Sequence, residues 1–473
     1  MKGSALAYAL IITALVAVLL TSILTFIASQ IKNSLRERSK QQAFQIAESG
    51  INFYQWYLAH QTDGRTAAQI EAFWTAGTAY GVGADYTRTY SDPSGTTVGH
   101  YRLTVTPPSA GSTIATVQSV GWTDQYPTVT RTIRVRFRRP SWSESTVVSN
   151  ADIWYGDTET VIGKVFSNGG IRMDGYATNT VSSAVSTYQN ASAGAPAVSP
   201  GVWSSQPSEI SSVYHVPVFQ GGKQFPAVAK DFNSISADMN LMKTDAIAGT
   251  NGSRYFGTNG LGRHIKLLTN GTYQIRTVSA YSTKSGQDPG GSTSNVPDLI
   301  TAYSDNWTTY AMPTNGVIFV ENDVWLEGQI NNNRVTVVAA NLLGGAQPNI
   351  YIGTANILYT NYDGRDNLGI VAQKSIEVIY DSVSVFRVDG VLLAQTGRVE
   401  RRYYGGNGDH KTSIRTYGAL ATNGQYTWNW WVNGTTLYGY TTTQSEYDNK
   451  LYYTPPPYFP TGTQYAMDLW EEL

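Results

Sequence analysis

The sequence predicts an α+β unit followed by an all-β one. It comprises a long N-terminal membrane helix, a small antiparallel sheet, and a large right-handed parallel β-helix-like body with an inserted α/β lobe. Three observations predict this. An apolar run from Ala5 to Ile31 continues unbroken into a charged, helix-forming stretch. Residues 86–138 hold alternating segments separated by turn residues, and from Val147 a unit of glycine, short apolar strand and small-polar turn recurs. About 20 apolar residues span a bilayer core, period-two alternation marks half-buried strands, and a recurring short unit marks stacked coils.

Composition narrows the class. The chain has 473 residues, 14% of them charged, with 45 Gly, 32 Tyr and 12 Trp, the balance of an exported β-rich protein. A net charge of −1 gives no electrostatic reason to expect nucleic acid as a partner. Cysteine is absent, which excludes disulfides, thiol catalysis and cysteine-bound zinc.

The first element is a helix over 4–60, about 85 Å long at 1.5 Å per residue, with its transmembrane part at about 4–31. No small-x-small cleavage site follows the apolar run, so it is not a conventional signal peptide. Lys2 precedes the run and Lys32, Arg36, Arg38 and Lys40 follow it, which opposes a simple positive-inside orientation. Leu35, Ala43, Ile46, Ala47, Phe53 and Tyr57 form a stripe that needs a packing partner, and Gln61–Gly64 ends the helix.

That partner is the unit at 61–145. His100–Thr106 alternates through Tyr101, Leu103 and Val105, Ile114–Gly121 alternates again, and Thr130–Phe137 places Ile133, Val135 and Phe137 on one face. Arg131, Arg134, Arg136 and Arg138 read as a solvated sheet face.

Lys2-Gly3 ahead of an unbroken membrane-length helix, and the segment Ala43, Phe44, Ala47, Glu48, Gly50, resemble type IV prepilins. More specifically they resemble PilX/GspK-like minor pilins, whose apolar helix lacks an early glutamate and runs into an AFxxAExG-like segment. The resemblance covers roughly the first 60 residues. It implies a leader at 1–3, cut between Gly3 and Ser4 by a prepilin peptidase, with methylation of the new terminus, and a pilin-like head at 61–145. It further implies a single-pass protein in the lipid bilayer with its body outside, at the cell surface or on a pilus. Other pilins and inner-membrane pilus assembly components would be its partners. In ordinary pilins a glutamate four residues past the new terminus pairs with a neighbour's amine, and here that slot holds Tyr8. The departure suits a minor subunit. A plain signal anchor is the competing reading.

The body, 146–473, carries the copies Gly163–Gly169, Gly369–Ser375, Gly390–Gly397 and Gly418–Gly424, with Gly316–Asp323 a looser one. Such spacing suits coils of a parallel β-helix, and a β-sandwich is the competing fold. An inserted lobe at about 225–310 holds a helix over Asp231–Ala246 and a hairpin around Asn270-Gly271. The aromatic C-terminal third closes the solenoid as a cap, and Pro455–Pro457 lies extended along the outer wall.

No catalytic constellation or cofactor motif is present. The five histidines are scattered, with no His-Glu-x-x-His, Gly-x-Ser-x-Gly or phosphate loop, so the chain is not expected to be an enzyme. A polysaccharide-degrading β-helix would need a carboxylate cleft, for which Asp363, Asp366, Glu377, Asp381 and Asp389 are the candidates. Asp363 and Asp366 are also weak Ca²⁺ candidates in a turn whose competing role is a cap. Tyr426, Trp428, Trp430 and Trp431 either contact a ligand such as a surface glycan or cap the body. The expected function is a minor, tip or priming pilin that displays a large domain for attachment to glycans or cells. The alternative is a membrane-anchored adhesin outside any pilus.

Overall fold

The computed structural model describes residues 2–473 except 66, 109–112, 140, 190–195, 233–234, 433–435, 453, 460 and 463. Helix α1, Lys2–Thr62, is one continuous rod of 61 residues. Between Leu6 and Arg38 it is exposed all round apart from half-buried Leu35. From Ser39 one face goes inside, through Ala43, Ile46, Ala47, Ile51, Tyr54 and Leu58, the three-and-four spacing of one helical stripe. Phe53 lies on the flank of that stripe, half-buried, and stacks on Tyr80 and Tyr86.

The stripe packs on an antiparallel sheet of β1 (Tyr86–Ser91), β2 (Thr97–Thr106), β3 (Ile114–Thr123) and β4 (Tyr126–Arg138). Tyr101, Leu103, Val105, Val117, Ile133, Val135 and Phe137 face the helix, as the alternation predicts. Helix α2, Ala67–Thr75, closes the core with Ile70, Phe73 and Trp74.

The boundary expected at 145/146 needs one correction. The C-terminal strand, Ala466–Glu472, returns to pair antiparallel with β4 and completes the head sheet. The body is therefore inserted into the head between β4 and the last strand. Charge explains part of the pairing. Asp468, Glu471 and Glu472 meet Arg136, Arg134 and Arg131, so those arginines form an ion-paired ladder rather than a merely solvated face.

The body is a large, mostly parallel sheet folded into stacked short strands. On one face Ile318, Val337, Ile370, Leu392, Leu420, Val147, Val165 and Val181 are successive register partners, all buried. A second face runs Val324, Ile350, Ile376, Val399. A third runs Ile357, Val388, Thr416, Ser445, Val161, Ala177. The chain enters mid-stack, because Val147–Ser149 pairs with Leu420–Thr422 on one side and Val165–Ser167 on the other. The strands Val147–Ser149, Val165–Ser167, Val181–Ser183 and Lys223–Gln224 follow one another in one direction. Helix α3, Ile235–Ala248, carries the chain back along the stack, and Arg254–Phe256 begins the other end by pairing with Ile318–Val320. The turns carry an asparagine ladder in which Asn168 donates to Asn150 and Asn150 to Asn423, each at 2.6 Å.

The lobe expected at 225–310 is not a separate insertion. Helix and hairpin are both present, but Gly262–Leu268 pairs in parallel with the strand Val324–Ile330 and so belongs to the stack. The arms Thr272–Gln287 and Thr293–Tyr303 extend beyond it, with Thr308–Ala311 paired to the first of them. They fold over the second face, covering Trp325, Tyr351 and Ile379. The proline tail lies along the outer wall, where Arg334 donates to the Pro455 carbonyl at 2.9 Å.

Candidate functional site

The first candidate surface is α1. The helix is long and apolar enough to cross a membrane, and the apolar stretch is unburied. Three of its hydroxyls bond within the helix, where Thr13 donates to the Ala9 carbonyl, Thr21 to Ala17 and Ser22 to Val18, at 2.8–2.9 Å. A helix in hydrocarbon needs this internal satisfaction. Gly3 and Ser4 lie in the first turns of α1, and Met1 of the expected leader lies outside the described residues. Tyr8 is exposed on the apolar stretch.

The AFxxAExG-like segment divides into a packing half and a surface half. Ala43, Ala47 and Gly50 are buried, and they bring the helix axis close to β3. A Cβ on Gly50 would come within 2.9 Å of the Tyr101 ring. Phe44 meets Trp470 of the C-terminal strand edge to face, 6.0 Å between centroids, whereas Glu48 is exposed. Small residues at these spacings are therefore a seat for the helix on its sheet.

Head and body are joined by more than the two connecting chains. Trp142, just past β4, packs edge to face on Phe232 at 4.4 Å. Trp74 of α2 donates to the Tyr465 hydroxyl at 2.8 Å, and Ser141 bridges Thr461. Arg138 pairs with Glu144 and with Asp468, all largely withdrawn from solvent. Sequence reasoning missed Asp468, whose only signal was an acidic residue in a short C-terminal apolar stretch.

The aromatic residues do not form one face. Tyr426 and Trp428 are buried, 5% and 2% exposed, and contact each other edge to face inside the body. Trp430 is half-buried and donates to the Arg401 carbonyl at 2.9 Å, while Trp431 is 39% exposed. They also do not cap an open end. The strands on either side of them, His410–Thr422 and Thr436–Tyr447, are continued by Val147–Ser149 and Glu159–Ile162. A different group lies further along the stack, where Trp154, Arg172 and Trp203 are register partners and the guanidinium sits 4.5 and 5.2 Å from the two rings.

Four of the five candidate carboxylates are engaged. Asp366 accepts backbone N–H bonds from Asn333, Thr360 and Asn361 at 2.6–3.2 Å, which is turn capping, and Asp363 pairs with Arg365 at 2.8 Å. Glu377 pairs with Arg402 at 3.1 Å, Asp389 with Arg387 at 2.8 Å, and Asp381 is exposed. Among the described residues no group of three or more His, Asp or Glu side chains could hold a metal ion. Burial pushes Glu159 up to about 8 and Asp323 up to about 6. Burial, helped by the neighbouring Glu377 carboxylate, pushes Glu400 up to about 7.

No family model and no curated protein matches the chain. Among solved structures it is similar to the competence-associated pilin ComZ from Thermus thermophilus, with 13% identity and a TM-score of 0.32, over 92% of this chain and 98% of that one.

Proposed function

We propose that this chain is a minor pilin, acting at a tip or in priming, that holds a parallel β-helix body outside the cell for attachment. The observation that carries the reading is the continuity of α1. One helix supplies an unburied apolar length from Leu6 to Ile31 and then, past a basic stretch, the buried seat of Ala43, Ala47 and Gly50. A rod that inserts with other subunits and a head that rides on it are thereby one rigid piece. Tyr8 in place of a glutamate supports a role in few copies, because it offers no carboxylate to a neighbour's terminal amine. The three stacked faces with aliphatic ladders support the β-helix assignment, since each coil buries its apolar side against the next. A body of that bulk, seated between β4 and the last strand, would crowd neighbours along a filament and is free at its end.

Immunogold labelling of the intact cells tests this reading. Label confined to filament ends and the envelope supports it. Continuous label along filaments would contradict the minor role. The second reading, an adhesin that stays in the membrane, is favoured by the same Tyr8, and envelope label alone would select it.

A further inference from the structure

Where the sheet ends on its membrane side, the seam between α1 and β4 opens into a cleft of about 530 Å³. Asn33, Arg36, Glu37 and Lys40 line it from α1, and Val129 and Arg131 are among its lining residues from β4. The spacing 33, 36, 37, 40 is one helical face, continuous with the stripe that packs on the sheet from Ala43 onward. Three cations, Arg36, Lys40 and Arg131, therefore face one carboxylate in the lining. Lys40 is held by Glu37 at 2.6 Å and Arg131 by Glu472 at 3.2 Å. Arg36 has no ion-pair partner among the described residues, and Lys32 and Arg38 add two more exposed cations within the same two turns.

The position of the cleft along the helix gives it a ligand. The apolar run ends at Ile31, and at 1.5 Å per residue Asn33 lies about 3 Å and Arg36 about 8 Å beyond it. The headgroup layer on each side of the hydrocarbon is roughly 5–8 Å thick, and long basic side chains reach back toward it. We propose that this cleft binds the phosphate of an anionic phospholipid in the outer leaflet, with Arg36 and Arg131 as the contacting groups and the lipid tails lying along the apolar length of α1. This rests on the membrane-spanning reading of α1. It gives the four basic residues beyond the apolar run a purpose, since an anionic headgroup offsets a charge distribution that opposes the ordinary orientation.

The full chain reconstituted into nanodiscs of phosphatidylcholine, with and without phosphatidylglycerol, tests the proposal by mass spectrometry of the lipid kept after detergent extraction. The expected result is insertion into both bilayers with about fivefold enrichment of phosphatidylglycerol over its bulk fraction, as Arg36, the cation of the lining without an ion-pair partner among the described residues, allows. R36Q/R131Q should insert equally and lose the enrichment. R102Q, which removes an exposed arginine on β2, should keep it. Insertion without enrichment, or enrichment that survives R36Q/R131Q, overturns the site and leaves the membrane reading standing. Failure to insert into either bilayer overturns both. Adding inorganic phosphate is the last arm: loss of the enrichment at millimolar phosphate would assign the cleft to a soluble anion and overturn the lipid.

Discussion

Gly121 of β3 lies directly under Ala47 of α1, so close that a Cβ at Gly121 would come within 3.0 Å of the Ala47 Cα and overlap the Ala43 carbonyl. The atoms it would meet belong to helix backbone, which cannot swing aside as a side chain can. Gly121→Ala should therefore destabilise the head by about 1–3 kcal/mol, the usual cost of overpacking. Glu48→Ala, on the exposed side of the same segment, should stay within about 0.5 kcal/mol. Chemical denaturation of the full chain in detergent, followed by proteolysis of the head, checks both.

The last strand should be held to the sheet by one acidic residue more than by the others. Asp468 is 2% exposed and faces Arg136 at 2.9 Å and Arg138 at 3.4 Å. Asp468→Asn removes the carboxylate shared by Arg136 and Arg138, but Arg138 keeps Glu144 and Arg136 still reaches water, so the cost should be about 1.5–3 kcal/mol, the range for hydrogen bonds to a charged group. Glu471→Gln removes a pair whose arginine is 45% exposed and should cost about 0–1 kcal/mol. Changes in Trp470 fluorescence with denaturant would report detachment of the strand.

Much of the head was legible in the sequence because its helix and its meander are local patterns. The stripe of α1 and the inward faces of β2 and β4 follow from spacing alone. The C-terminal strand was not legible. Ala466–Glu472 is mostly exposed, so its alternation is weak, and its partner lies more than three hundred residues earlier in the chain. The body shows the same limit in another form. Gly163–Gly169 and Gly418–Gly424 carry strands of one parallel sheet, but three-residue strands such as Val147–Ser149 carry no sign of which distant strands they join. The burial of Trp428 was not legible for a related reason. Alternation separates two sides of a strand without saying which side is interior, and an aromatic inside a wide coil reads like one on its surface.

Interior and surface positions of the body should respond differently. Leu392→Ala breaks the ladder between Ile370 and Leu420 and should cost about 2–5 kcal/mol. Trp428→Ala should cost about 3–5 kcal/mol for the same reason, whereas Trp431→Ala, at a 39% exposed ring, should leave the melting temperature nearly unchanged. Thermal unfolding followed by circular dichroism separates them. Equal tolerance at Leu392 and Trp431 would contradict the stacked core.

Stability should fall as pH rises from about 5 to about 8. Glu159 and Glu400 bind their protons more tightly in the folded body than in the unfolded chain, with folded values of about 8 and about 7 against an ordinary 4.5. The native state therefore holds more protons across that window, and the linkage slope is negative. The stabilisation is complete below the unfolded value and lost as pH passes the folded one. Glu159→Gln, neutral at every pH, should flatten the upper part of the curve in urea titrations at matched ionic strength. A midpoint that rises from pH 5 to pH 8 would be the contrary result.

The mass of the N-terminal peptide of the protein recovered from the cell surface tests the pilin account most directly. The account predicts a chain that begins at Ser4, one methyl group heavier than the unmodified terminus, with the leader retained when Gly3 is replaced by a bulky residue. A surface-exposed chain that still begins at Met1 would contradict it.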